Sequence, residues 1–105
     1  MAKKPPTKAE RRHMNAVQAL GCIACRKLGH WGTPAEIHHI TTGKGMGQRA
    51  TNLEVIPLCP HHHRQGGHGE AIHGGQKTWE ARFGTELELL EEVNQQLGMS
   101  HAEGW

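Results

Sequence analysis

Residues able to do chemistry are concentrated in "LCPHHHRQGGHGEAIH", residues 58–73, which holds five histidines and one cysteine. Imidazole nitrogens and thiolate sulfurs are the ligands that zinc prefers in proteins. A neutral imidazole can also act as a general base near physiological pH. The alternative is that the segment is a solvated polar loop, and its spacing relative to the rest of the chain decides between the two interpretations.

The cysteines predict a structural zinc site. Cys22 and Cys25 form a C-x-x-C pair, and Cys59 and His62 repeat that spacing. Together they supply a Cys3His set, one of the standard closed tetrahedral sites. The alternative is that the cysteines are small buried hydrophobic residues. We favour zinc because only 35% of the residues are hydrophobic, Tyr is absent and Phe occurs once, so the core alone contributes little stability.

Two further histidines, His38 and His39, lie together in "AEIHHI", which has the pattern of a short strand. Adjacent side chains on a strand point to opposite faces, so these two cannot easily bind one ion together. One of them can hold a metal while the other acts as a base. His63 follows the zinc ligand His62 on a predicted helix, and it could face His38 across a hairpin.

A helix and a hairpin must position these residues. Thr7 and Glu10 have the form of a capping box, and "KAERRHMNAVQAL" continues as a helix that Gly21 ends. The strand "AEIHHI" and a second strand, "LEVIPLC", are joined by the glycine-rich "TTGKGMGQRATN", so we predict a β-hairpin with a long loop. Pro60 suits the first turn of a helix that would begin with His61.

The C-terminal part of the chain is predicted to be helical. One helix begins at Gln76 and is broken at Gly84, and Thr85 with Glu88 then caps a second helix that runs up to Gly98. A stripe at helical spacing is expected to pack in the core. It consists of Trp79, Phe83, Leu87 and Leu90.

Length and charge bound the organisation of the protein. At 105 residues the chain supports one domain, which we place at residues 7–98, with a disordered basic arm at 1–6 and a flexible tail at 99–105. The net charge is +2, with lysines and arginines near the front and glutamates near the back. This asymmetry indicates either a polyanion bound by one face or two solvated helix surfaces.

Cysteine usage and hydropathy bear on the compartment. A C-x-x-C pattern with an odd third cysteine indicates metal binding in a reducing environment rather than a disulfide framework. The sequence has no apolar run that approaches the roughly 18 residues of a membrane span. We therefore expect a cytoplasmic protein that has no membrane partner.

Part of the chain resembles a known enzyme family. The segments "IHHI", "TNLEVIPLC" with its Asn52, and "CPHHH" resemble the HNH, or His-Me finger, endonucleases, which have a ββα-metal fold. The match covers Cys22 to His73. It departs from the variant with two C-x-x-C pairs because His62 stands where the last cysteine is usual.

The flanking segments narrow the resemblance. "LGCIACRKLG" and "IHGGQKTWEARFG" make the chain most similar to the phage recombination-enhancement, RecA-dependent (Ref-like) nucleases. The resemblance implies an α+β fold: a small zinc-stapled ββα-metal (HNH) finger with flanking N-terminal and C-terminal helices and a core at residues 22–73.

The resemblance also implies roles for single residues. His39 would be the general base, and Asn52 would hydrogen-bond across the hairpin and orient it. His38 and His63 would bind a catalytic divalent cation, Mg²⁺ or Mn²⁺, and His73 would be a third ligand. Zinc can replace that cation in crystals because imidazole binds zinc more strongly than magnesium.

DNA is the partner that the resemblance implies. Candidate contacts to the DNA backbone come from Lys44 and Arg49 in the glycine-rich loop and from Arg64 and Lys77. For each of them the alternative is an ordinary solvated side chain. The loop is not a nucleotide-binding phosphate loop, since it lacks the order G-x-x-x-x-G-K-[ST].

The predicted function is a metal-dependent DNA endonuclease with little intrinsic sequence specificity, directed by a RecA filament in phage recombination. The protein is expected to be a monomer or a weak dimer. Two alternatives stay open: a zinc-stapled DNA-binding or adaptor module without catalysis, and an HNH nuclease of phage DNA packaging or junction processing. Outside these roles, His61 is expected to face solvent and His68 to lie in a loop near phosphate.

Overall fold

The computed structural model describes residues 5–45, 48 and 50–103, and for 99–103 it describes the backbone alone. Most of the predicted basic arm and the end of the predicted tail lie outside the described residues. The protein is α+β, as predicted, and its regular elements are α1 (Lys8–Ala19), α2 (Ile23–Lys27), β1 (Glu36–His39), β2 (Val55–Leu58), α3 (Gln76–Phe83) and α4 (Glu86–Glu103).

Helix α1 begins with the predicted capping box. The Thr7 hydroxyl accepts a hydrogen bond from the Glu10 amide at 3.1 Å, and the Thr7 amide donates to Glu10 Oε1 at 2.8 Å. Two of the four amides that a helix start leaves without partners are thereby satisfied. At the other end Gly21 follows with a φ of 81°, which confirms that it ends the helix. Val17 is buried and packs this helix against the core.

Strands β1 and β2 form a two-stranded antiparallel sheet, and His38 pairs with Ile56 while His39 pairs with Val55. This confirms the predicted hairpin. His38 is 2% exposed, whereas His39 is exposed, so the two imidazoles do occupy opposite faces. All four residues of β2 are buried, because α1, α2 and α4 all pack against this strand.

The three consecutive histidines lie on a π-helical turn, His61–Gln65, and not on the predicted α-helix. The Gly66 amide closes the turn by donating to the carbonyl of His61 at 2.9 Å, a wider i to i+5 closure. A short 3₁₀ turn, Ile72–Gly74, follows and packs against it. The two turns together bring His73 back towards His63.

The break between the C-terminal helices occurs at Gly84, whose φ is 111°, as predicted. Trp79 and Phe83 are buried, as the predicted stripe requires. Leu87 is 52% exposed, so the prediction that it packs in the core was wrong. The turn at Gly84 changes the direction of the chain, and Leu89, Val93 and Leu97 enter the core in its place, while Leu90 packs at the core's edge.

The predicted end of the last helix at Gly98 was also wrong, because α4 continues to Glu103. Gly98 is not among the glycines with positive φ. A glycine in a helix costs roughly 1 kcal/mol relative to alanine, which weakens a helix without ending it. Within the described part of the chain, no helix has both the length and the apolar character needed to cross a bilayer.

Candidate metal and active site

Four buried side chains converge at one end of the sheet: Cys22, Cys25, Cys59 and His62. Their ligand atoms all lie within 4.8 Å of one another. Nδ1 of His62 is 3.4 Å from Sγ of Cys25 and 3.3 Å from Sγ of Cys59. The two sulfurs are 3.8 Å apart, close to the edge of about 3.8 Å that follows from zinc–sulfur bonds of about 2.3 Å in a tetrahedron. The donor set and its geometry therefore fit zinc.

Local backbone structure brings these four donors together. Cys22 caps α2, since its sulfur accepts a hydrogen bond from the Cys25 amide at 3.4 Å. Cys59 directly follows β2, and the turn that follows Pro60 brings His62 back to it. At Gly21 the φ is 81° and a Cβ would lie 3.2 Å from Gly32 Cα, so glycine is strongly favoured just before Cys22. A metal here would tie α2 to the end of the sheet.

Three free thiols in a buried cluster make metal binding the best chemical interpretation of this site. None of the cysteines forms a disulfide. Burial raises the pKa of the Cys22 thiol to about 12, so without a metal this group stays protonated at neutral pH. A bound zinc ion would take the thiolate form as its ligand, so this proton would be released to solvent.

A second cluster contains the three histidines expected to bind the catalytic cation: His38 from β1, His63 from the π-helical turn and His73 from the 3₁₀ turn. Their ligand nitrogens lie within 4.8 Å of one another. The ring centroids are 5.1 Å apart for His38 and His63, and 4.6 Å apart for His63 and His73. The structure thus places His73 with the other two despite its distance along the sequence.

The cluster becomes more accessible from His38 to His73. His38 is buried, His63 is partly buried and His73 is exposed, so the cluster opens to solvent on one side. Burial and the neighbouring histidines lower the pKa of His73, and the neutral imidazole that results is the form that binds metals. Three imidazoles with an open side can hold a divalent cation and leave it room for a further ligand.

Two glutamates hold the outer nitrogens of this cluster, and sequence reasoning missed both. Nε2 of His38 is 2.5 Å from Oε2 of Glu86, and Nδ1 of His63 is 2.9 Å from Oε1 of Glu36. These contacts leave Nδ1 of His38 and Nε2 of His63 as the ring nitrogens available to a cation. A carboxylate behind a histidine ligand fixes its tautomer and ring orientation and makes it a stronger ligand.

Glu86 is completely buried at the start of α4. Its other oxygen accepts hydrogen bonds from the amides of Thr41 and Thr42, at 2.9 and 2.8 Å, and from the Thr42 hydroxyl at 2.6 Å. Burial alone would raise the pKa of Glu86, but the hydrogen bonds from His38 and Thr42 outweigh it and hold that pKa well below its usual range. Glu86 is therefore an ionised group that joins α4 to the end of β1.

Glu36 lies between His63 and Arg64. Arg64 donates from Nε and Nη2 to the two carboxylate oxygens, at 3.0 and 2.6 Å. The Arg64 hydrogen bonds, together with that of His63, lower the pKa of Glu36 to about 2. Arg64 was expected to contact DNA phosphate, and in this structure it supports the carboxylate behind His63.

The other residues expected to contact DNA differ in their surroundings. Lys44 Nζ pairs with a Glu54 carboxylate oxygen at 3.0 Å. Lys77 is exposed at the start of α3. Arg49 lies outside the described residues. On α1, which also carries basic residues, Arg11 and Arg12 are both exposed.

His39 and Asn52 meet on the exposed face of the hairpin. Nε2 of His39 is 2.9 Å from Oδ1 of Asn52. Nδ2 of Asn52 donates in turn to Oε2 of Glu10 at 3.3 Å. Glu10 was predicted only as part of the α1 cap, and no pattern in the sequence connects it with Asn52. The contact between His39 and Asn52 has the form that an orienting role requires.

The remaining histidines of the segment support its loops. His61 is exposed, as predicted, and its Nε2 is 3.3 Å from Oε2 of Glu70. Nδ1 of His68 lies 3.2 Å from the carbonyl of Gly74, so its ring braces the 3₁₀ turn. The set of His61, His62 and Glu70 is also close enough to hold a metal. Because His62 belongs to the Cys3His cluster, this set is not a separate site.

The chain is similar to known proteins over most of its length. A model of the protein family described as recombination enhancement, RecA-dependent nuclease matches residues 6–98, a range that includes both clusters. The uncharacterized protein YdfU of Escherichia coli (strain K12) is 32% identical over 77 residues, a match that covers 70% of this chain and 19% of that protein. The chain thus spans about a fifth of the length of that curated relative.

Proposed function

We propose that this chain, since it belongs to the family of recombination enhancement, RecA-dependent nucleases, is a metal-dependent DNA endonuclease of the HNH, or His-Me finger, type. Its core would be a ββα-metal unit made of the hairpin and the turns that follow β2. The activity of such an enzyme is hydrolysis of a phosphodiester bond, which leaves a 5′-phosphate and a 3′-hydroxyl.

The observation that carries this proposal is the pairing of two different histidine environments on one strand. His38 joins His63 and His73 in a cluster with ligand nitrogens within 4.8 Å of one another. His39, the next residue, instead takes a hydrogen bond to Asn52 at 2.9 Å. A divalent cation and a general base are the two parts that a metal-dependent nuclease uses to hydrolyse a phosphodiester.

The three-histidine cluster would hold Mg²⁺ or Mn²⁺. When bound, such a cation stabilises negative charge on the scissile phosphate and on the leaving 3′ oxygen. The chain itself prepares the cluster: Glu86 and Glu36 fix the rings of His38 and His63 from behind, and the open side at His73 admits a phosphate. His39 would take the proton from the attacking water, and Asn52 keeps its ring in place.

The Cys3His cluster would hold zinc in a structural role. It lies in the core rather than on the exposed face that carries His39, and all four of its side chains are buried. Zinc would fix the end of β2 and the turn that carries His63, and thus support the cation site. The chain would then need zinc to fold and a second cation to cleave.

DNA binding would rest on phosphate contacts with little sequence preference. Lys77 and the exposed Arg11 and Arg12 are suitable groups, and Lys44 and Arg64 would join them by exchanging their carboxylate partners for phosphate. A RecA filament paired with its target would then supply the specificity. We propose the cytoplasm as the compartment, and a monomer or a weak dimer as the active form.

A plasmid assay tests the proposal. Supercoiled DNA is incubated with the zinc-loaded protein in Mg²⁺, in Mn²⁺ and without a divalent cation, with and without RecA filaments on a homologous oligonucleotide. We expect cleavage that requires the added cation and is directed by the filament to the homologous segment. Binding of DNA without cleavage under every condition would replace the nuclease with a binding module.

His73→Ala is the sharpest variant for this assay, and His61→Ala is its matched control. Both residues are exposed histidines from the same segment, but His73 lies in the three-histidine cluster and His61 does not. The first substitution should raise the cation concentration needed for half-maximal cleavage, while the second should leave it unchanged.

A further inference from the structure

We propose that Glu10 is a positioning residue that acts through Asn52 to keep a proton on Nε2 of His39 and leave Nδ1 free to accept one. This role rests on the proposed function, since it specifies which nitrogen of the proposed base works. The residues involved come from three parts of the fold: the first turn of α1, the hairpin loop and the end of β1.

The chemistry of the three side chains determines the direction of each hydrogen bond. An ionised carboxylate only accepts, so Glu10 must face the NH2 group of the Asn52 amide. Their atoms, Oε2 and Nδ2, are 3.3 Å apart. The amide oxygen of Asn52 then faces His39, 2.9 Å from Nε2. An oxygen acceptor requires a donor opposite it, so Nε2 of His39 carries the hydrogen.

Glu10 is itself held from the other side. Its Oε1 accepts a hydrogen bond from the Thr7 amide at 2.8 Å, so each carboxylate oxygen has a separate partner. The hydrogen bond from Thr7, and further that from Asn52, lower the pKa of Glu10, and the residue stays an acceptor at neutral pH. The capping box of α1 thus fixes one end of the series of hydrogen bonds that runs through Glu10 and Asn52 to His39.

A neutral imidazole has one protonated nitrogen and one free nitrogen, and only the free one can act as a base. Without Glu10 the amide of Asn52 could turn over, because its two ends differ only in oxygen and nitrogen. The NH2 group would then face Nε2 of His39, and the proton would move to Nδ1. Glu10 prevents this exchange of tautomers.

The Glu10→Gln variant tests whether Glu10 sets the tautomer of His39. The glutamine must keep an oxygen towards the Thr7 amide, so its NH2 group faces Asn52. Two NH2 groups cannot face each other, and Asn52 therefore turns over and donates to Nε2 of His39. We expect the His39 proton to move from Nε2 to Nδ1, while the α1 cap is retained.

The α4 capping box offers a matched control. Glu88 Oε1 accepts from the Thr85 amide at 2.9 Å, and Thr85 Oγ1 accepts from the Glu88 amide at 3.1 Å. This is the same Thr-x-x-Glu arrangement as at Thr7 and Glu10, but among the described residues no asparagine donates to the Glu88 carboxylate. Glu88→Gln should therefore leave the tautomer of His39 unchanged.

The measurement is nitrogen NMR of the histidine rings in zinc-loaded protein at about pH 8, where an ordinary imidazole is neutral. His39 is assigned by comparison with His39→Ala. We expect Nε2–H in the wild type and Glu88→Gln, Nδ1–H in Glu10→Gln, and Nε2–H restored in the double variant Glu10→Gln with Asn52→Asp, because aspartate accepts from both neighbours. Nδ1–H in the wild type, or Nε2–H in a folded Glu10→Gln, would overturn the proposal.

Cleavage kinetics separate this inference from the proposed function. If the chain is a nuclease, Glu10→Gln should lower kcat on the order of 10²-fold with KM unchanged, since DNA binding does not involve the tautomer. If His39→Ala cleaves as well as the wild type, the proposed base is wrong, while the NMR result still decides the role of Glu10.

Discussion

Oε2 of Glu86 lies 2.5 Å from Nε2 of His38, and both side chains are buried. This contact joins the first turn of α4 to the strand that carries a proposed cation ligand. The other oxygen of Glu86 accepts hydrogen bonds from the backbone amides of Thr41 and Thr42, which lie just beyond the end of that strand. One carboxylate therefore sets both the direction of the His38 ring and the path of the chain leaving β1.

Glu86→Gln should weaken Mn²⁺ binding at the three-histidine cluster by about 10–100-fold, the usual effect of losing a carboxylate behind a histidine ligand. Binding is measured by titration of the zinc-loaded protein with Mn²⁺. Glu88→Gln, two residues along and exposed, is the control. Wild-type Mn²⁺ affinity in Glu86→Gln would show that His38 does not depend on this carboxylate.

Glu86→Ala should cost stability as well as metal affinity. It leaves the part-buried amides of Thr41 and Thr42 without their acceptor, and an unsatisfied group costs up to about 1–3 kcal/mol where water cannot reach it. We expect a lower free energy of unfolding in urea than for Glu86→Gln, which keeps one acceptor oxygen. Equal stability of the two variants would mean that water replaces the carboxylate.

Removal of zinc should unfold the protein. Cys25→Ser, or a strong chelator added to the wild type, is expected to abolish cooperative thermal unfolding, because the four buried donors have no other partner of comparable strength. His73→Ala should retain zinc and a wild-type unfolding temperature, since it lies in the other cluster. A chelated protein that melts like the untreated one would contradict a structural role for the metal.

Zinc binding should release protons, and zinc affinity should therefore fall as the pH falls. Burial raises the pKa of the Cys22 thiol to about 12 in the folded protein, and an ordinary thiol in an unfolded chain is also mostly protonated at neutral pH, so a proton must leave before the thiolate ligand can form. Calorimetric titrations in two buffers of different ionisation enthalpy measure this release. An identical binding enthalpy in both buffers would contradict it.

Two glycines should respond in opposite ways to alanine. Gly21 has a φ of 81° and a Cβ there would meet Gly32 Cα at 3.2 Å, whereas Gly98 is helical and has nothing within 4 Å. Gly21→Ala should lower the free energy of unfolding by more than about 1 kcal/mol and reduce zinc retention. Gly98→Ala should raise it by up to about 1 kcal/mol. Urea unfolding of both variants measures these changes, and equal changes in the free energy of unfolding would contradict the account of Gly21.

The parts of the fold that depend on neighbours in sequence could be predicted. The capping box at Thr7, the helix end at Gly21 and the break at Gly84 all depend on a few adjacent residues. Strand geometry alone predicts that the adjacent side chains of His38 and His39 point to opposite faces of the sheet. The spacing of Cys22 and Cys25 likewise predicts a half-site without knowledge of the rest of the chain.

What could not be predicted depends on residues far apart in sequence. Glu86 is 48 residues from His38, and nothing in its own segment distinguishes it from the exposed glutamates of the same helix. Glu36 and Glu10 acquire their partners in the same way, through packing of α1 and the π-helical turn against the hairpin. Leu87 was misplaced because helical spacing was carried across Gly84, where the chain changes direction.

The central claim is that His39 is the base of a cation-dependent nuclease, and one comparison tests it most directly. Nicking of supercoiled plasmid in Mn²⁺ is measured for the wild type, for His39→Ala and for His61→Ala, with zinc content and circular dichroism checked for each. We predict that His39→Ala loses cleavage by on the order of 10²-fold or more while it keeps zinc and fold, and that His61→Ala cleaves like the wild type. Equal cleavage by the wild type and a folded His39→Ala would contradict the claim.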